Sequence, residues 1–320
     1  MRRYLPIIIV IVAIVAGAYI GYRKGVRKTA LRGSALVASF LDVDFGNAIV
    51  VETPEKQFVV IDPGPKKTSA PLINYLKDIG AQSLTVIITN ASDDHIGALD
   101  SLIESFPIKR ILHGETDIDL SQAIANAATA EVSDLILSAG DVIHISPSVK
   151  LEVLSPPKGL LKDIKQTSEN SSLVIRLLFG KTSLLLTSHA MVDAEGYLIR
   201  SVDNLRSNVL VVGRHGRRGS TSLELLSVVK PECCIVMSGA GSDKPSKTIL
   251  DRISTKNTGA EVYRTDKDGL VDVISNGRSI TVARGFDDDE SVEHPKTQGF
   301  IDRPPNKRGQ IDFDSPHWAY

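Results

Sequence analysis

The stretch TNASDDHIGAL, Thr89–Leu99, decides how this chain is read. An apolar run, Leu84–Ile88, leads directly into it, and Gly97–Leu99 opens a segment with helical spacing through Ile103. Asp94 and His95 are therefore expected on a strand-to-helix turn, where side chains on a rigid scaffold can converge on a ligand. Carboxylate oxygen and imidazole nitrogen are both zinc donors, so the pair is a candidate metal-binding unit. A capping Asp beside a packed His is the plainer alternative.

Upstream, Ala35–Asp42, Ala48–Glu52 and Gln57–Asp62 are rich in Val, Ile and Phe and read as strands, with turns at Gly46-Asn47 and Pro54-Glu55. An Asp at a strand end can brace backbone N–H groups of a neighbouring loop, so Asp62 and Gly64 in VIDPG read as structural. Ser69–Gly80 is an amphipathic helix with Leu72, Ile73, Leu76 and Ile79 on one face. Downstream, Arg110–His113 reads as a strand, Leu120–Ala130 as a helix, and Val142–Ile145 with Val149–Leu154 as a β pair. His113 and His144 in these segments read as packing positions ahead of ligands.

Pro156–Glu169 is a polar loop. Asn170–Ala190 then forms two strands around a Gly180-Lys181 turn and closes on Thr187-Ser188-His189. Asn208–Val212 is a strand that runs into GRHGRRGS, Gly213–Ser220. Thr221–Val229 and Lys247–Ser254 read as helices, and Pro231–Ser238, Glu261–Arg264, Leu270–Ile274 and Ser279–Ala283 as strands. Cys233 and Cys234 are neighbours in one strand and point to opposite faces, which disfavours an internal disulfide and favours two buried thiols.

The 320 residues carry 37 basic against 38 acidic side chains, so no global field favours nucleic acid and any anion site must be local. Forty-two per cent of the residues are apolar, enough for a substantial core. Tyr4–Tyr22 is uncharged and apolar, and at about 1.5 Å per residue it matches a bilayer core, which predicts one N-terminal transmembrane helix. The competing reading is a signal peptide with Arg2-Arg3 ahead of it and a small-residue motif at Ala16–Ala18; the apolar run past Ala18 favours the anchor. Arg23, Lys24, Arg27, Lys28 and Arg32 follow the span and place the body on the cytoplasmic side by the positive-inside rule. Beyond Gly285 an acidic run and scattered prolines read as a disordered tail. The organisation expected is therefore residues 1–33 as anchor and basic juxtamembrane segment, 34–284 as the folded domain and 285–320 as tail.

The order FLDV, VIDPG, T-x5-HIGAL, NSSLV-x-R, LLLT, HG and TDKDG resembles the metallo-β-lactamase-fold superfamily, and within it the C-terminal domain of the DNA-uptake protein ComEC. The resemblance spans Ser34–Arg284. It implies an α+β, four-layer αββα sandwich of two mixed sheets with helices on both outer faces and an active cleft along one loop edge. It also implies a body outside the membrane, opposite to the charge rule.

Against the family pattern Asn90 and Ser92 stand where a His and an Asp belong, His189 replaces the metal-bridging Asp, Arg214 replaces one His and Lys244 falls in place of another. The donors that remain are Asp94, His95, His189 and His215, enough for one zinc ion at most and thin for two. Asp94 and His189 are the candidate catalytic residues, and Arg214, Lys244 and Asn90 are candidate phosphate-binding residues. Two functions compete: a membrane-anchored phosphodiester hydrolase depending on one metal ion, and a catalytically inactive module, with or without metal, that holds DNA, a phosphate ligand or a membrane-protein partner in the same cleft.

Overall fold

The structure is a computed structural model that describes residues 34–114, 133–158 and 169–285. Short runs of branched apolar residues generate its strands. In chain order these are β1 (Leu36–Phe40), β2 (Ala48–Glu52), β3 (Phe58–Pro63), β4 (Leu84–Ile88), β5 (Ile108–His113), β6 (Ser133–Ile136), β7 (Val142–His144), β8 (Val149–Ser155), β9 (Val174–Phe179), β10 (Thr182–Leu186), β11 (Val209–Val211), β12 (Cys233–Val236), β13 (Glu261–Arg264), β14 (Val271–Ser275) and β15 (Ile280–Arg284). The central ones, such as β1 to β4 and β10 to β12, are buried on both faces. The strands form two mixed sheets, one ordered β15-β14-β1-β2-β3-β4-β5-β6 and the other β13-β12-β11-β10-β9-β8-β7. In the first, β3 to β6 run parallel and the rest antiparallel; in the second, β10 to β13 run parallel.

Side-chain alternation along each strand divides the core into three layers. Phe40, Ile49, Ile61 and Ile87 of the first sheet meet Leu151, Ile175, Leu186, Val211 and Ile235 of the second. On the outer face of the first sheet, Val50, Val60, Val86 and Ile111 pack against α1 (Ser69–Asp78) and α3 (Leu99–Ser105). On the outer face of the second, Leu185, Leu210 and Val236 pack against α4 (Val192–Ser201), α5 (Leu223–Val229) and α6 (Lys247–Ile253). The four-layer αββα sandwich expected from the resemblance is the fold observed. Cys233 lies in the inter-sheet core and Cys234 beneath the helices, and both are free thiols.

Three details differ from the sequence reading. Asp94 and His95 lie not on an open turn but in a one-turn helix, α2 (Asp93–Ile96), immediately before α3. A helix α4 that the apolar pattern did not announce follows His189, because Gly196 and the buried Glu195 interrupt its periodicity. Short helices α7 (Thr255–Thr258) and α8 (Thr265–Asp268) flank β13. The expected helix at Leu120–Ala130, the apolar span at Tyr4–Tyr22 and the tail from residue 286 lie outside the described residues. Among the described residues no helix is long and apolar enough to cross a membrane.

Because β3, β4, β10, β11 and β12 are parallel members of their sheets, their C-terminal ends gather at one rim of the sandwich. The β1–β2 loop joins them there, since Ala48 pairs with Pro63. Ile235, fully buried at the centre of this packing, is the test of the inter-sheet core. Ile235→Ala is expected to lower unfolding free energy by about 2–5 kcal/mol in urea titration without changing secondary structure.

Candidate metal centre

Three short connections at this rim carry the four donors. α2 supplies Asp94 and His95, the turn after β10 supplies His189, and the turn after β11 supplies His215. Their ligand atoms all lie within 4.8 Å of one another. His95 Nε2 is 3.1 Å from His189 Nε2, which is 2.9 Å from His215 Nε2, which is 3.0 Å from Asp94 Oδ2. Asp94 Oδ2 is also 3.4 Å from His189 Nε2 and 4.0 Å from His95 Nε2.

A tetrahedral ion with bonds of about 2.0–2.1 Å needs donor–donor edges of about 3.3 Å, and these separations cluster around that value. The donor chemistry points the same way. Burial pushes His215 down to about 4, against the opposing contact with Asp94, so the ring is neutral at pH 7. Its Nδ1 faces the Met237 carbonyl at 2.9 Å, which only accepts, so Nδ1 carries the proton and Nε2 turns a lone pair toward the Asp94 carboxylate. Two electron-pair donors at 3.0 Å repel unless a cation or proton lies between them. The residues therefore fit one divalent ion.

The supports are built into the rim. Asp62 Oδ1 accepts the Thr89 N–H at 2.7 Å, and Asp62 Oδ2 receives Thr89 Oγ1 and lies 2.8 Å from His95 Nδ1. Asp62 thus braces the loop and also fixes the His95 ring, leaving its Nε2 for the centre. Burial alone would lower His95, but the Asp62 carboxylate outweighs it and raises the imidazole. Burial would raise Asp94, but its contacts with His189 and His215 hold the carboxyl well below the usual range. His189 is lowered, chiefly by burial and against its contact with Asp94.

Backbone contacts complete the frame. The Gly64 N–H donates to the His95 carbonyl and the Gly64 carbonyl accepts from Ala98, both at 2.9 Å. Gly46, at φ +155°, lets the Asn47 N–H reach the Asp94 carbonyl; a Cβ there would sit 2.6 Å from that oxygen. Asp62, Ser188, Arg214 and His215 all hold positive φ. Non-glycine residues adopt this region at a cost of about 1–3 kcal/mol and keep it only where the surroundings over-determine it.

Of the candidate phosphate-binding residues, Asn90 and Arg214 are engaged by partners outside the donor cluster. Asn90 donates through Nδ2 to Ser172 Oγ, and its Oδ1 accepts the Ser92 N–H. Arg214 donates to the Arg218 carbonyl and lies 3.7 Å from Glu169. Lys244 is exposed on a neighbouring loop.

Sequence reasoning did not find Phe45, whose ring lies 4.3 Å from that of His215 and beneath Arg217, 4.1 Å from its centroid. Nor did it find Glu195, which accepts the N–H groups of Thr221 and Ser222 and so holds the loop after His215. A ring in a Gly-flanked loop and an acid inside a helix carry no distinctive spacing, so neither had a signal.

A histidine-rich donor cluster at the loop edge of an αββα sandwich defines a class of metal-binding domain. Over residues 41–232 the chain matches the model of the metallo-beta-lactamase superfamily, and it belongs to that superfamily. It is 29% identical over 206 residues to ComE operon protein 3 of Bacillus subtilis, covering 62% of this chain and 26% of that protein. It is 25% identical over 201 residues to Recombination protein 2 of Haemophilus influenzae, covering 62% and 23%. The chain therefore aligns with about a quarter of the length of these ComEC-like relatives. Among solved structures, the metallo-beta-lactamase fold protein YhfI from Bacillus subtilis superposes with a TM-score of 0.51 at 13% identity, covering 73% of this chain and 98% of that one, a likeness of fold.

Removal of the Asp62 carboxylate tests this support directly. Asp62→Ala is expected to weaken zinc affinity about 10–100-fold, read by competition with a chromophoric chelator; unchanged affinity would contradict the assignment.

Proposed function

We propose that this chain is a metal-dependent hydrolase of phosphodiesters of the nucleic-acid class, working with a single divalent ion at a membrane surface. The observation that carries the reading is the convergence of Asp94, His95, His189 and His215 on one point at the loop rim. Superfamily membership supports hydrolysis, likeness to ComEC-type proteins supports a nucleic-acid substrate, and the apolar Tyr4–Tyr22 segment supports anchoring.

These four residues would hold the ion, which would supply Lewis acidity toward a phosphoryl oxygen. The division of labour among the residues follows from exposure. His95 and His215 side chains are 0% and 1% exposed, whereas Asp94 and His189 are 16% and 14% exposed. Asp94 and His189 are accordingly the members that a substrate and water reach. Asp94, held ionised, orients the incoming water. Neutral His189, with Nε2 turned to the donor cluster, carries its proton on Nδ1 and donates it as a hydrogen bond to a substrate oxygen. Arg214 and Lys244 attract flanking phosphates, and Asn90 shapes the loop.

A second reading, an inactive module that binds DNA or another phosphate ligand, is favoured by one feature. Four protein donors fill a tetrahedral set, as in non-catalytic zinc sites. The two readings separate in an assay of the full chain with Zn²⁺ or Mn²⁺ against a chromogenic phosphodiester and single- and double-stranded DNA. Metal-dependent turnover is expected, falling at least about 100-fold in His95→Ala, beyond what loss of a supporting residue costs. Stoichiometric metal without turnover, together with DNA binding, would replace hydrolysis with the binding module.

A further inference from the structure

We infer that His189 is the displaceable donor of the cluster, and that the place its Nε2 occupies is the entry point for an anionic oxygen of a phosphate-class ligand. The inference rests on the single-ion reading above and deepens it.

The two other imidazoles are fixed from behind through Nδ1, and Asp94 is carried by a clamped one-turn helix. His95 is held through Nδ1 by Asp62 and through its backbone carbonyl by Gly64. His215 is held through Nδ1 by the Met237 carbonyl and lies in tilted ring contact with Phe45. Asp94 sits in α2, and its carbonyl accepts the Asn47 N–H at 3.0 Å. Two imidazoles and one carboxylate make a three-ligand protein set, the kind that leaves a fourth position for water or substrate.

His189 lacks such a support. Its Nδ1 has no hydrogen-bond partner among the described residues, and the polar contacts of its ring are the three that Nε2 makes to His95, His215 and Asp94. The ring meets its histidine neighbours edge-on, at 75° to His95 and 87° to His215. Rotation about its side-chain bonds therefore breaks no hydrogen bond outside the cluster.

The backbone beneath it stays in place. Ser188, at φ +48°, bonds through Oγ to Thr89 Oγ1 at 2.7 Å, and the Ala190 N–H donates to the Thr187 carbonyl at 2.9 Å. A fixed main chain with an untethered ring on the solvent side is the geometry of a gate. With His189 in, the donor set is closed; with His189 out, the opening lies beside Asp94, the other solvent-reached member.

The test is metal binding and coordination in the full chain, using Co²⁺ as probe, for wild type, His189→Ala, His189→Gln, His95→Ala and His215→Ala. Thermal unfolding of each variant without metal confirms that it folds. His189→Ala and His189→Gln are expected to keep one ion per chain with affinity within about tenfold of wild type, while His95→Ala and His215→Ala lose more than about 100-fold. The Co²⁺ visible bands of His189→Ala should weaken as solvent enters, and inorganic phosphate should perturb them at least about tenfold more readily than in wild type.

Loss of metal in folded His189→Ala and His189→Gln equal to that in His95→Ala, or identical phosphate response in wild type and His189→Ala, would overturn the inference while leaving the single-ion reading intact. Failure of the wild type to bind any ion would remove both.

Discussion

Mutual repulsion among converging electron-pair donors is the constraint around which this rim is built. Three imidazole nitrogens and a carboxylate oxygen from two different sheets approach to 2.9–3.4 Å along four of their edges. Nothing local to any one strand favours that approach. It is imposed by Asp62 and Met237 O, which fix two rings from behind, and by Gly64 and Asn47, which clamp α2. The sandwich supplies the rest, because parallel strand ends from both sheets reach the same edge. Left-handed backbone at Asp62, Ser188, Arg214 and His215 shows where the fold accepts strain to bring the side chains together.

The exchange of charge types relative to the family pattern takes on a physical meaning here. Where the family resemblance implies an imidazole and a carboxylate stand Asn90 and Ser92, and Asn90 bonds through its amide to Ser172 and the Ser92 backbone. The loop here braces its neighbours. Arg214 is engaged by the Arg218 carbonyl and Glu169, away from the role of a ligand. What is left is one compact donor set, His189 included.

The strands were legible because each is a short run of branched apolar residues bounded by Gly, Pro or polar turns, and Cys233 and Cys234 do lie on opposite faces as neighbours in a strand must. The four donors were legible as motif positions, although their meeting at one point required the fold. Helix α4 was hidden by Gly196 and by Glu195, an acid buried to serve the Thr221–Ser222 backbone. Phe45 and Met237 were hidden for a different reason. One acts through a tilted ring contact and the other through a main-chain carbonyl, and neither contribution is written in residue type or spacing.

The central claim is that Asp94, His95, His189 and His215 share one cation. X-ray absorption at the zinc edge of the zinc-loaded full chain measures this most directly. The account predicts a first shell of nitrogen and oxygen at about 2.0–2.2 Å with outer-shell imidazole scattering, and no metal–metal vector. A metal–metal distance of about 3.5–4 Å, or a shell without imidazole, would contradict it.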